Sequence, residues 1–201
     1  MQFSTISNLY GRWGIVAERS EYDATPPTYN LAFDAKPMAI NAEVEAAALT
    51  LLFGSYSGGE MAFAHKLGPN TAVAIQRYLE PTKVFPTPVE YYPKALPLHS
   101  GSVDVWDAPD ISIRENRFIS LRSDMANGSL NMHSALAISN NSFVFKQHDN
   151  DYLPALAAAM LFTDDLEAEA FTVPAGSISN FGEVRDLLSA VRLGLFEREA
   201  E

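Results

Sequence analysis

The residues predict an α+β fold, a largely antiparallel sheet with about three packed helices, and two observations carry that expectation. Apolar residues recur at helical spacing in three places, and between residues 102 and 147 short β-prone runs alternate with tight turns. An open sheet, a sandwich and a roll are all compatible with these signals.

In the first predicted helix Asn41 is the N-cap, and Glu43 and Glu45 stand in the first turn, where carboxylates complement the helix dipole. Val44, Ala47, Ala48, Leu51 and Leu52 form one stripe, and Gly54 is the expected stop. The second helix starts near Asp151 with Pro154 in its first turn, and its stripe is Leu153, Leu156, Ala157, Met160 and Leu161. The third is capped by Asn180, with Glu183 at the capping-box position and a stripe of Val184, Leu187, Leu188, Val191 and Leu195.

The predicted meander holds five strands: Ser102–Trp106, Asp110–Arg114, Arg117–Asp124, Ser129–Ile138 and Ser142–Gln147. Asn127-Gly128 is its strongest hairpin signal, because both residues accept positive φ. Strands joined by such short turns are expected to be antiparallel. Arg12–Glu18, Tyr29–Phe33, Glu60–Lys66 and Ala72–Leu79 also read as strands. Five prolines fall between Pro81 and Pro97, which predicts an extended arm, crossover or sheet edge at 81–97 and not a central strand.

A chain of 201 residues can bury a sizeable core without metals or disulfides, so a single globular domain over 1–201 is expected. Cysteine is absent, which excludes disulfides, thiolate metal sites and cysteine nucleophiles. The start, Met1 to Thr5, lacks the pattern of a signal peptide, and the longest near-apolar stretch, Tyr152–Phe162, is 11 residues. A cytoplasmic location and no membrane contact are the resulting expectations. Net charge is −11, with 7 Lys/Arg against 9 Asp/Glu in residues 1–100 and 7 against 16 in residues 101–201. Such a chain repels phosphate backbones, so no nucleic-acid partner is expected.

Motifs for chemistry are sparse. Gly54-Ser55-Tyr56-Ser57-Gly58-Gly59 follows a helix and lacks a lysine, so it reads as a turn and not as a phosphate loop or nucleophile elbow. Arg114, Arg117 and Arg122 form a small basic group, read as partners of nearby acids. Asp164, Asp165, Glu167 and Glu169 oppose the dipole of the second helix unless a turn ends it near Thr163. Of the four histidines only His148 has neighbours suited to a metal, Asp149 and Asp151, with His133 as a further ligand. The same residues also serve a strand-to-helix corner as turn formers and caps.

The residues therefore favour a non-catalytic assembly or interaction subunit, a homo-oligomer or part of a larger particle, without cofactors. Tyr91, Tyr92 and Pro93 on the arm are its expected contact residues. The alternative is a metal-assisted hydrolase centred on His148, Asp149 and Asp151. An acidic mimic of nucleic acid ranks below both.

Overall fold

The computed structural model describes residues 1–9, 12–92, 96, 99–107, 117–122, 129–132 and 135–199. Among these the chain is an α+β protein with four α-helices and two sheets. The first half runs β1 (Gln2–Leu9), β2 (Arg12–Glu18), β3 (Asn30–Phe33), α1 (Ala42–Phe53), β4 (Glu60–Leu67), α2 (Pro69–Tyr78) and β5 (Phe85–Val89). The second runs β6 (Gly101–Trp106), β7 (Phe118–Arg122), β8 (Ser129–Met132), β9 (Ala135–Ser139), α3 (Leu153–Met160), β10 (Ala168–Pro174), α4 (Phe181–Ala190) and β11 (Gly194–Arg198).

The N-terminal sheet has the order β3-β2-β1-β4-β5, and the C-terminal sheet β11-β10-β6-β7-β9-β8. The expectation of a largely antiparallel sheet is overturned. Among the described residues the ladders β1–β4, β4–β5, β10–β11, β6–β10, β6–β7 and β7–β9 are parallel, and β1–β2, β2–β3 and β8–β9 are antiparallel. The physical reason lies in the connections. Turn signals mark where a strand stops, not which strand it pairs with. Helices α2 and α4 are the crossovers between the parallel neighbours β4–β5 and β10–β11, and β8 intervenes in sequence between the parallel neighbours β7 and β9, so no single short turn joins them.

The meander also dissolves in detail. Residues 129–138 divide into β8 and β9, residues 142–145 form a 3-10 turn instead of a strand, and 110–114 lie outside the described residues. Ala72–Leu79, read as a strand, belongs to helix α2. Pro69 at its first position fits a helix start, since the missing N–H would be unpaired there anyway. The proline-rich arm contributes β5 to a sheet edge.

The four helices lie between the sheets, α1 packed against α3 and α2 against α4. Asn41 caps α1 as expected, its Oδ1 accepting from the N–H groups of Glu43 at 3.0 Å and Val44 at 3.4 Å. The predicted single stripe is too narrow, however. In α1 every residue from Glu43 to Phe53 is buried, and in α3 every residue from Pro154 to Met160. A helix buried all round belongs to an interior, not to a surface. Gly54 has φ −58° and opens a 3-10 turn, so it is not a left-handed stop. The expected capping box at α4 is also absent: the Asn180 side chain makes no cap bond and meets Glu183 and the Tyr78 hydroxyl.

The two sheets are stitched at one seam. Phe33 bridges Asn140, and the side-chain amide of Asn141 mimics a strand residue, accepting from Ala32 N at 2.9 Å and donating to Asn30 O at 2.8 Å. The apolar core is continuous from Met1 and Phe3 through Phe53 and Phe162 to Leu195.

Candidate functional site

In sheets with parallel strands, ligand sites lie beyond the carboxyl ends of the strands, where the crossover helices begin. The N-terminal sheet has such an end. Strand β4 finishes at Leu67 and passes through Gly68 directly into α2, while β5 finishes at Val89 and leads to Tyr91 and Tyr92. The N-terminus of α1 comes to the same place and brings Glu43. A cleft of about 320 Å³ is lined here by Glu43, the Gly68–Thr71 turn, Tyr91, Tyr92, Leu96 and Arg192.

Glu43 has an unusual position. It is 2% exposed, and its Oε1 accepts the Gly68 N–H at 2.7 Å, which ties α1 to the start of α2. Its Oε2 is buried with no hydrogen-bond partner. A side chain on residue 68 would stand 3.3 Å from this carboxylate, so glycine there permits the close approach. Arg192 enters the cleft from the end of α4. It adopts φ 60°, closing the helix in a Schellman arrangement in which Leu193 N bonds Leu188 O at 3.0 Å. Glycine is the usual residue at such a position, and a side chain there costs about 1–2 kcal/mol.

A second buried carboxylate lies one step along α1. Glu45 is 4% exposed, and burial pushes its carboxyl above the ordinary range, with the charge of His65 and a hydrogen bond from Thr5 pulling back. The two acids point to different neighbours, Glu43 to α2 and Glu45 to β1 and β4.

The residues singled out by sequence do not all meet. Tyr91 and Tyr92 reach the cleft and are 85% and 75% exposed, whereas Pro93 lies outside the described residues. At the other proposed corner His148 and Asp149 are exposed and Asp151 is buried. The two oxygens of Asp151 accept from Gln147 N and Leu153 N, each at 3.0 Å, so the carboxylate closes the corner and caps the entry to α3. His133 is outside the described residues, and among those described no three His, Asp or Glu side chains are placed to hold a metal ion.

Arg117 donates to Leu166 O at 2.9 Å and to Glu167 at 3.3 Å; Arg114 and the side chain of Arg122 lie outside the description. The acidic cluster follows the end of α3 at Met160 and is spent on contacts: Asp164 with His99 at 2.8 Å, Asp165 with Met38 N at 3.2 Å. Sequence reading missed the cleft role of Glu43 and Arg192. The Gly68-Pro69 pair was the available signal, because it marks a strand passing straight into a helix.

Compared with family models, with curated proteins and with solved structures, the chain gives no match. Among the described residues no helix is long and apolar enough to cross a membrane.

Proposed function

We propose that the protein is a non-catalytic interaction subunit that self-associates or joins a larger protein particle, meeting its neighbour through the Tyr91–Tyr92 end of β5. The observation that carries this reading is the pair of adjacent tyrosines, 85% and 75% exposed, with Phe85 at the start of β5 58% exposed. Large aromatics in contact with water are the side chains most enriched in protein interfaces.

The contact is made by side chains and not by strand addition. Phe85 N donates to Gly59 O at 2.7 Å, so Phe85 and Thr87 face β4, and Pro86 and Pro88 face the open edge. Prolines at those positions remove the N–H donors that an added strand would need. Deleting the whole arm is therefore a poor test, because it would remove β5 and the buried Val84 as well.

Replacing both tyrosines by serine leaves the strand in place. Sedimentation velocity at two protein concentrations, up to tens of micromolar, is expected to show a multimer for the native chain and a marked shift towards monomer for Y91S/Y92S. A native chain that stays monomeric, or a doubly substituted chain with unchanged association, would overturn the reading.

A further inference from the structure

The cleft at the carboxyl end of β4 and β5 has two opposite electrostatic demands. On one side the buried Oε2 of Glu43 lacks a donor. A polar oxygen removed from water is costly unless a hydrogen-bond partner meets it, and none among the described residues does so. On the other side the amides of Asn70 and Thr71 precede the first internal bond of α2, from Ala72 N to Gly68 O at 3.1 Å. Unused first-turn N–H groups favour an anion. Arg192 adds an exposed guanidinium on the rim.

A simple anion suits this arrangement badly, because the Glu43 carboxylate already sits at the start of α2. A simple cation suits it equally badly, because it would face Arg192 and the positive end of the helix. A molecule with both charges a few ångströms apart satisfies each side. The volume of about 320 Å³ falls at the small end of the range for small-molecule sites, about 300–1,000 Å³, and suits a small occupant.

We propose that this cleft binds a small zwitterion of the α-amino-acid type. Its ammonium pairs with the Glu43 carboxylate, its carboxylate takes the first-turn N–H groups of α2 and the Arg192 guanidinium, and its side chain lies against Tyr91, Tyr92 and Leu96. Aromatic faces beside an ammonium add a cation–π attraction. The ligand has no net charge, so the overall charge of −11 neither attracts nor repels it strongly. This inference does not need the protein to be a multimer.

The test is thermal unfolding of the full chain with each of the twenty free amino acids, followed by titration calorimetry on any that respond. At ten times its Kd a true ligand is expected to raise Tm by about 3 °C. Glu43→Gln and Arg192→Ala are each expected to weaken binding by about tenfold or more. Arg192 is on the surface, so its variant keeps the test open if Glu43→Gln folds poorly.

The amide of the best ligand, which keeps only the ammonium, and its N-acetyl form, which keeps only the carboxylate, represent the two ends of a peptide. Both are expected to fail. The proposal is overturned if no amino acid raises Tm, if both variants bind like the native chain, or if either blocked form binds as well as the free amino acid. Sedimentation in the presence of the ligand reads association separately, so a monomer that binds amino acid refutes only the interaction reading.

Discussion

At Asp23 burial and charge act in opposite directions on one carboxyl. Burial alone would raise its pKa, but the Met1 ammonium 2.8 Å away and the N–H groups of Gly58 and Ser20 hold it down at about 2. A depressed carboxyl stabilises the fold above its unfolded value of 3.8 and loses that contribution as pH falls through about 2. Asp23→Asn is therefore expected to cost about 2 kcal/mol at neutral pH, with the difference shrinking below pH 4 in urea unfolding. Glu45 has the opposite sign. Its folded pKa is raised, so its ionisation penalises the folded state once pH rises through that value. Glu45→Gln should raise Tm at pH 7 and leave it nearly unchanged at pH 4; equal gains at both would show that charge is not the cause. Neither carboxylate could be distinguished by sequence from the many exposed acids, because burial is set by distant strands.

At the scale of elements, α1 and α3 show what an interior helix needs from its sequence. Ala46, Ala47 and Ala48 in the first, and Ala155, Ala157, Ala158 and Ala159 in the second, are all no more than 3% exposed. Small residues on both helices allow a close approach; α1 ends on Leu52-Phe53, and Leu161-Phe162 follows the last residue of α3. Ala158→Leu is expected to destabilise by about 1–3 kcal/mol through overpacking, measured by chemical unfolding, while an exposed alanine such as Ala64 tolerates the change. These two helices were legible because alanine- and leucine-rich runs with a cap are local signals. Helix α2 was not, because Ala72–Leu79 fits strand alternation about as well as it fits the helical set Thr71, Ala72, Ile75 that is actually buried. The clue that separates them is Pro69 at the first position. β1, β10 and β11 were missed as strands, whereas β5 is the sheet edge that the prolines of the arm allowed.

For the molecule as a whole, the two halves repeat one plan that the sequence hides. In the first, three strands, α1, β4, α2 and β5 give the order β3-β2-β1-β4-β5; in the second, β9-β7-β6-β10-β11 has the same order, with β8 added outside. The halves differ in the direction of one strand, since β2 is antiparallel to β1 while β7 is parallel to β6. They face each other through equivalent helices, α1 on α3 and α2 on α4. The Tyr91–Tyr92 surface lies beyond this closed pairing, where the chain leaves β5 for the second half. The core is complete without those tyrosines, so under the proposed association their replacement is expected to alter sedimentation but not folding.

The sequence by itself determined the mixed composition of helix and strand, the cap of α1, and where α1, α3 and α4 stand in the chain. Each depends on residues within a few positions of one another. Only the tertiary structure decided the direction and order of the strands, the burial of Glu43 and Glu45, and the cleft at the carboxyl end of β4 and β5. Those depend on pairs far apart in the chain, such as Glu43 with Gly68 and Asn141 with Ala32, for which local pattern carries no signal.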